Sequence, residues 1–347
     1  MSIVIPTCNG LDLLRENLPS VQRAAQCYHL KTGCMTEIIV VDDGSQDDTC
    51  ETLPVEFPDI YLMVRSRNEG FAKACNTGFE GARFPLVALL NNDVRIEEDY
   101  FVYQALQFQD PDVFAVTAKV FEWDQPIFAT GGRFGQFRRG FWSVYFNYDA
   151  CTPPAREWIE GRRLLSAYAI GGFSTYNREK LQILGGFNEL LSPFHWEDVD
   201  LSYRGWKRGW EVRYEPRSVA HHRASATINA YYKKKYVDAV SFRNRLLFHW
   251  INLHSRTYLL RHLISLLVLT FTRVLVLDLY FYHSLGLALS RLPEVLKLRR
   301  LEGSRARRTD VEISRILDRF YDSAPIEIYY NQQEVIQKHP DFEEAEA

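Results

Sequence analysis

The chain has 347 residues, 46% of them hydrophobic, which is more than one typical domain needs and enough to bury a large core. Its formal net charge of -3 excludes a chain that binds nucleic acid over its whole surface, although Arg and Lys gather between Arg291 and Arg308 while the end, from Asp341 to Glu346, is acidic. The six cysteines show no paired short spacing, so neither a zinc site nor a disulfide framework is indicated and a reducing compartment fits.

Ser2-Ile3-Val4-Ile5-Pro6 reads as a short β-branched strand without the charged and apolar regions of a secretory signal, so the catalytic part is expected in the cytoplasm. Thr7-Cys8-Asn9-Gly10 turns into a helix over about 11–28. Glu37 to Val41 is a second buried strand, closed by Asp42-Asp43-Gly44-Ser45 and followed by a short helix after Asp47-Asp48-Thr49. Ile60 to Val64 predicts a third strand and Phe71 to Arg83 a helix. Strand, helix, strand with polar residues at each carboxyl end implies βαβ units and a parallel sheet. The G-x-G-x-x-G of a dinucleotide fold is absent from the first turn.

The next strand, Leu86 to Leu90, is apolar throughout and ends in Asn91-Asn92-Asp93. A run of that kind suits the middle of a sheet covered on both faces, and ligands of open α/β sheets bind beyond the carboxyl ends of such strands. Farther on, Trp196-Glu197-Asp198-Val199-Asp200 opens a helix that stops at Gly209, with three acids in its first turn. Plain helix capping explains Asp200 well and the Trp-Glu-Asp sequence less well.

These blocks together resemble family 2 glycosyltransferases. The residues that carry the resemblance are Ser2 to Thr7, Val40 to Ser45, Asn68-Glu69-Gly70-Phe71-Ala72 with Asn76, Leu89 to Asp93, Gly171-Gly172, Leu184 to Glu189, Trp196 to Leu201 and Val219 to His222. Gly131-Gly132-Arg133 and the His221 block look most like bacterial rhamnosyltransferase and galactofuranosyltransferase types. The resemblance implies a GT-A fold, an α/β, Rossmann-like, mostly parallel sheet flanked by helices, over residues 1–225. An α-helical C-terminal region would occupy 226–347.

The implied reaction is inverting, metal-dependent transfer of a hexose or rhamnose-like deoxyhexose from a UDP- or dTDP-sugar to a hydroxyl of a glycan or polyprenyl-linked acceptor. Mg²⁺ or Mn²⁺ with oxygen ligands suits a leaving diphosphate. By resemblance Asp93 is the metal ligand, the only carboxylate kept of the family's D-x-D pattern, and His221 completes the site, with His222 as the alternative. Asp43 would accept the imide N–H of the base while Asp42 braces the turn. Pro6, Thr7, Asn9, Asn68, Gly70 and Asn92 would line the donor site. Asp198 would be the general base and Glu197 its orienting neighbour. Trp196 and Gly172, with Gly171, would border the acceptor. The rival reading is a non-catalytic glycan or lipid-linked saccharide binder that kept the fold, for which Asn91, in place of a first carboxylate, is the one feature.

Beyond Ala226 the chain is expected to be helical to about Leu301. Its longest uncharged run, Leu263 to Thr272, is too short for a clean span. The helices are therefore expected either to lie in a membrane interface, with Arg291 to Arg308 on anionic lipid, or to form a homo-oligomer; the interface is favoured, which places the protein peripherally on the inner face of the cell membrane.

Overall fold

A computed structural model describes residues 1–150, 163–223, 233–330 and 334–337. Cys151, Tyr231, Tyr232 and the acidic end from Asp341 lie outside the described residues; the remaining cysteines are free thiols.

The first strand, β1 (Ser2–Thr7), is buried at every position and lies between β2 (Glu37–Asp42) and β4 (Leu86–Leu90), parallel to both. Outside β2 runs β3 (Tyr61–Val64), also parallel. Apolar residues on both faces of these strands follow from their cover: α1 (Leu11–Thr32) on one side and α3 (Phe71–Gly81) on the other, with α2 (Thr49–Glu56) between β2 and β3. Helix α1 presents Leu14, Leu18, Val21, Ala25 and Tyr28 at helical spacing to that core and ends at Gly33 in a left-handed cap.

The sheet continues less regularly than an all-parallel α/β pattern. β10 (Phe173–Asn177) pairs antiparallel with both β4 and β6 (Val113–Glu122). Beyond β6 come β11 (Glu211–His222), parallel to it, and the short β5 (Val94–Ile96), antiparallel to β11, while β7 (Phe128–Thr130) pairs antiparallel with β6. A mixed sheet in the order β3-β2-β1-β4-β10-β6-β11-β5 results. The carboxyl end of β4 thereby meets the start of β10 and the end of β11. Helix α4 (Tyr100–Gln107) packs beneath β11, α5 (Arg178–Leu184) follows β10, and α6 (Glu197–Lys207) leads into β11.

A second, antiparallel sheet is built on the hairpin β8 (Gly132–Arg138) and β9 (Phe141–Asp149), extended by β12 (Glu327–Tyr330) and β13 (Glu334–Gln337). The sequence after Pro325 gives no signal for this strand pair.

The C-terminal helices are α7 (Lys234–Asn252), α8 (Arg256–Leu275), α9 (Leu279–Leu289), α10 (Leu292–Ser304) and α11 (Asp310–Ser323). They share a hydrophobic core with the sheet through Leu246, Phe248, Ile251, Leu317 and Phe320. They also grip α6 by buried polar contacts. Asp310 accepts from the Tyr203 hydroxyl at 2.9 Å, the Lys207 ammonium at 2.8 Å and the His254 amide at 2.7 Å. Arg208 meets Glu302 at 2.7 Å, and Asn252 donates to Asp200 at 2.7 Å. Both members of the Lys207–Asp310 pair are buried, so removing one leaves an uncompensated charge that costs about 3–5 kcal/mol.

Helix α8 bears on the expectation for the C-terminal region. Over its full 20 residues, with mean hydropathy 1.5, it is long and apolar enough to cross a membrane by length and composition, and only 11% of its apolar window is buried.

Candidate active site

The ends of β1 and β2 are tied together by their own polar side chains. The Asp43 amide donates to the Thr7 carbonyl at 2.8 Å, the Asn9 amide to the Ser45 hydroxyl at 2.7 Å, and the Gln46 amide to Asn9 Oδ1 at 2.7 Å. Asn68 Nδ2 donates to the Cys8 sulfur at 3.2 Å, which brings the 68–70 loop to the same rim. Gly44 holds φ +73°, and a Cβ there would sit 2.5 Å from the Arg67 backbone, so only glycine lets the two loops touch. Pro6, Thr7, Asn9, Asp42, Asp43, Asn68 and Gly70 thus gather at one end of the sheet, as the donor-site expectation requires.

Asp42 braces the turn as expected, and Asp43 is itself engaged by the neighbouring loop. Asp42 Oδ1 accepts the Ser45 amide at 2.9 Å, bracing the turn, while its Oδ2 is buried without a hydrogen-bond partner. Asp43 braces more. Its Oδ1 accepts Arg65 Nε at 2.8 Å, its Oδ2 the Gly70 amide at 2.8 Å, and both share the Glu69 amide. A pyrimidine imide reaches Asp43 only by sharing an oxygen with one of these donors. Arg65, which also pairs with Glu69, is a part of this loop that the sequence reading missed, since an isolated arginine after a short strand carries no signal.

Asp93 is 5% exposed, and its Oδ1 is buried without a hydrogen-bond partner. His222 Nε2 stands 3.4 Å from that oxygen, within ion-pair reach if the ring is protonated but outside hydrogen-bond geometry. The expected partner His221 points elsewhere: its Nε2 lies 3.0 Å from Glu97, and its ring packs on Phe121. Neighbouring side chains on a strand face opposite ways, and the register sets His222 opposite Val94 and His221 opposite Arg95. A one-residue choice that sequence left open is thus decided by the pleat. Asn92 serves locally, donating from Nδ2 to the Thr7 hydroxyl at 2.9 Å.

Among the described residues no group of three or more His, Cys, Asp or Glu could hold a metal by itself. The Asp93 and His222 pair nevertheless fits a divalent ion: one unpartnered carboxylate oxygen beside one imidazole nitrogen, with the remaining positions left to diphosphate oxygens and water.

Gly171 and Gly172 join this pair to the second acidic cluster. The Asn91 amide donates to the Gly172 carbonyl at 3.2 Å, and the Gly171 amide to Asp198 Oδ2 at 3.1 Å. Gly172 has φ +93°, and a Cβ would fall 2.4 Å from the Asn91 side chain. Phe173 packs edge-on against the His222 ring, closing the circuit.

Asp198 and Glu197 sit side by side at the start of α6 yet differ. Asp198 is partly exposed and is held by the Gly171 and Val199 amides; burial raises its carboxyl, while those bonds and the nearby charges of Arg133 and His195 oppose the rise. Glu197 is 7% exposed with Oε2 unpartnered, and burial followed by the Asp198 charge pushes its carboxyl up. Burial raises both members of the pair, and the bonds at Asp198 offset the rise there.

The loop before α6 is strained. His195 and Trp196 both lie in the left-handed region, at φ 69° and 74°, a conformation that costs non-glycine residues about 1–3 kcal/mol each. Asn244 of α7 holds it, donating from Nδ2 to the carbonyls of Leu191, Phe194 and His195, the last two at 2.9 Å. Arg243 adds a bond to the Ser192 carbonyl. Trp196 is buried against Phe248 and His249 at this point, so its ring belongs to the core more than to an open acceptor wall.

Residues 2–163 match the model of glycosyl transferase family 2. The chain is 27% identical over 235 residues to human "Probable polypeptide N-acetylgalactosaminyltransferase 8", covering 61% of this chain and 35% of that one. It is 23% identical over 238 residues to the poly-β-1,6-N-acetyl-D-glucosamine synthase of Staphylococcus aureus, covering 68% and 52%. The chain therefore spans about a third and about half of these relatives. A crystal structure of GalNAc-T7 with UDP, GalNAc and Mn²⁺ superposes with a TM-score of 0.55 at 17% identity, over 74% of this chain and 48% of that one, a likeness of fold. The match over residues 2–163 and the order of the sheet agree on a GT-A-like α/β fold.

Proposed function

We propose that the protein is an inverting glycosyltransferase that moves a hexose or deoxyhexose from a UDP- or dTDP-sugar to a hydroxyl of a surface or lipid-linked glycan. The observation that carries this reading is the chain of contacts from the unpartnered Asp93 oxygen and His222, through Gly172 and Gly171, to Asp198. It links the groups that would hold a cation to the group that would act as base across one glycine pair, whose lack of side chains permits close approach. Mn²⁺ or Mg²⁺ bound by Asp93 and His222 would neutralise the charge that develops on the leaving diphosphate.

The chain's own groups do the rest. The Asn9, Ser45 and Asn68 rim receives the base and ribose, with Arg65 and Asp43 fixing the loop that faces them. Asp198 takes the proton of the acceptor hydroxyl as its oxygen bonds to the anomeric carbon and the carbon–oxygen bond to the diphosphate breaks from the opposite face. A general base of this kind contributes about 10² to 10⁴ in rate. Protonated Glu197 adds no second negative charge beside the attacking oxygen. The rhamnosyl-like character of the Gly131-Gly132-Arg133 block directs the first donor trials to dTDP- and UDP-linked sugars.

The deciding experiment is donor hydrolysis with and without Mn²⁺. Metal-dependent release of UDP or dTDP, lost in Asp93→Ala, supports the transferase. Donor binding without turnover under any metal condition supports instead the glycan-binding reading, for which Asn91 in place of a first carboxylate speaks.

A further inference from the structure

Most of the exposed large apolar side chains of the described residues fall between Leu260 and Leu301. On α8 they recur as Leu260, Leu263, Leu267, Phe271 and Leu275, a stripe at helical spacing that faces solvent instead of core. The turn into α9 is barer still: Leu275, Val276, Leu277 and Leu279 are between 67% and 83% exposed. An apolar surface this continuous marks a binding face.

Cations collar the turn. The Lys235 ammonium stands 5.2 Å over the Tyr280 ring at the start of α9, which sets exposed Lys233 and Lys234 beside it, and Arg273 lies on the turn itself. The acids there are Asp238 and Asp278, and Asp278 is occupied by Arg273 at 3.1 Å and by capping α9. Beneath them a cavity of about 280 Å³ has Phe242, Leu269 and Phe281 among its walls, with Lys235 and Arg273 at its edge. Apolar surface collared by cations complements anionic headgroups over acyl chains. A second copy of this chain would bring the same cations against one another, because a two-fold contact is self-complementary.

The hairpin does not serve as a free span. The first turns of α8 are fastened to the protein: Tyr258 stacks on Phe137 and donates to Ser314, and buried His262 is bonded to the Gly140 carbonyl at 2.9 Å. What overhangs, from about Leu263 onward, is roughly 20 Å long at 1.5 Å per residue, short of a hydrocarbon core of about 30 Å.

We propose that the α8–α9 hairpin docks on an anionic phospholipid bilayer, with Leu275 to Leu279 among the acyl chains and Lys233 to Lys235 and Arg273 at the headgroups. Docking holds the acceptor side of the cleft against the membrane, a consequence that rests on the transferase reading. The Tyr236 ring lies 6.3 Å from Phe194, in the loop that carries Trp196 and Asp198, one residue away from the lysine that marks the collar.

The test is co-sedimentation of the full chain with phosphatidylcholine vesicles with and without phosphatidylglycerol, at low and high salt, beside donor hydrolysis in solution. The expected result is salt-sensitive binding that requires phosphatidylglycerol. Leu277→Asp lowers it at least about tenfold, and Lys235→Ala about fivefold, the factor for ~1 kcal/mol per cation near a charged surface. Neither change alters the melting temperature or the rate of donor hydrolysis. Equal partition of wild type and Leu277→Asp, resistance of the bound protein to alkaline carbonate, or a dimer in solution that Leu277→Asp dissociates overturns the proposal. Loss of vesicle binding with donor hydrolysis intact leaves the transferase reading standing, and the reverse leaves the docking standing.

Discussion

The end of β4 and the start of α6 both carry carboxylates near the Gly171-Gly172 pair, and their surroundings differ. Asp93 has a buried oxygen without a hydrogen-bond partner, 3.4 Å from an imidazole nitrogen. Glu197 and Asp198 have each other, and burial raises both carboxyls while two backbone amides oppose the rise at Asp198. The residue type is nearly the same in both places; the neighbours decide the chemistry.

The largest expected effect breaks the comparison at the α6 end. Asp198→Asn keeps the size and one of the two amide contacts but removes the base, and turnover should fall by about 10² to 10⁴ with the Kd for the donor nearly unchanged. Rapid-mix turnover and donor titration by calorimetry check it; a matching loss of donor affinity would move Asp198 to the donor side. At the β4 end, His222→Ala should raise the Mn²⁺ concentration for half-maximal rate by more than the roughly 10–100-fold typical of losing a metal site's outer partners. His221→Ala, which removes a contact to exposed Glu97, should change it little. A reversed order of the two histidines would return the cation site to the arrangement expected from sequence.

Much of this site was legible because strand ends announce themselves. Apolar runs stopping at Asp42-Asp43 and at Asn91-Asn92-Asp93 place polar groups at carboxyl ends whatever the tertiary fold, and the structure puts both on one rim. Which histidine turns inward was not legible, since it depends on the register of β11 against β5. The antiparallel insertion of β10 between β4 and β6 was also hidden: Phe173 to Asn177 is too polar to read as a buried strand. Asn244 and Arg243 were invisible as site residues because they sit some fifty residues after the loop they hold, on a helix with no motif.

That remote brace gives the next effect in size. Asn244→Leu leaves three loop carbonyls without their donor, at about 1–3 kcal/mol for buried groups so stripped, and should lower Tm by about 2–4 °C for each kcal/mol lost. Because the loop carries Trp196 into α6, kcat should fall while the donor KM holds. A drop in Tm with kcat intact would mean that the left-handed turn at His195 and Trp196 survives without its anchor.

The smallest effect is the sharpest probe of the proton on Glu197. Burial and the Asp198 charge push its carboxyl from the ordinary 4.5 to about 8, so between those values the folded protein binds a proton that the unfolded chain does not. Stability must then fall as pH rises through that window and level off above it, since the slope follows the difference in bound protons. Glu197→Gln supplies a permanently neutral side chain of the same shape and removes the share of that slope that Glu197 carries. The variant should match the wild type near pH 4 and melt higher near pH 9, by about 2–4 °C for each kcal/mol of stability regained. Asp198, coupled to it, titrates as part of the same pair, so the flattening should be partial in Glu197→Gln and more complete when Asp198→Asn is added. A Glu197→Gln variant that melts lower at every pH would mean that the carboxylate is ionised in the folded protein, and the division of labour at the head of α6 would have to be drawn the other way round.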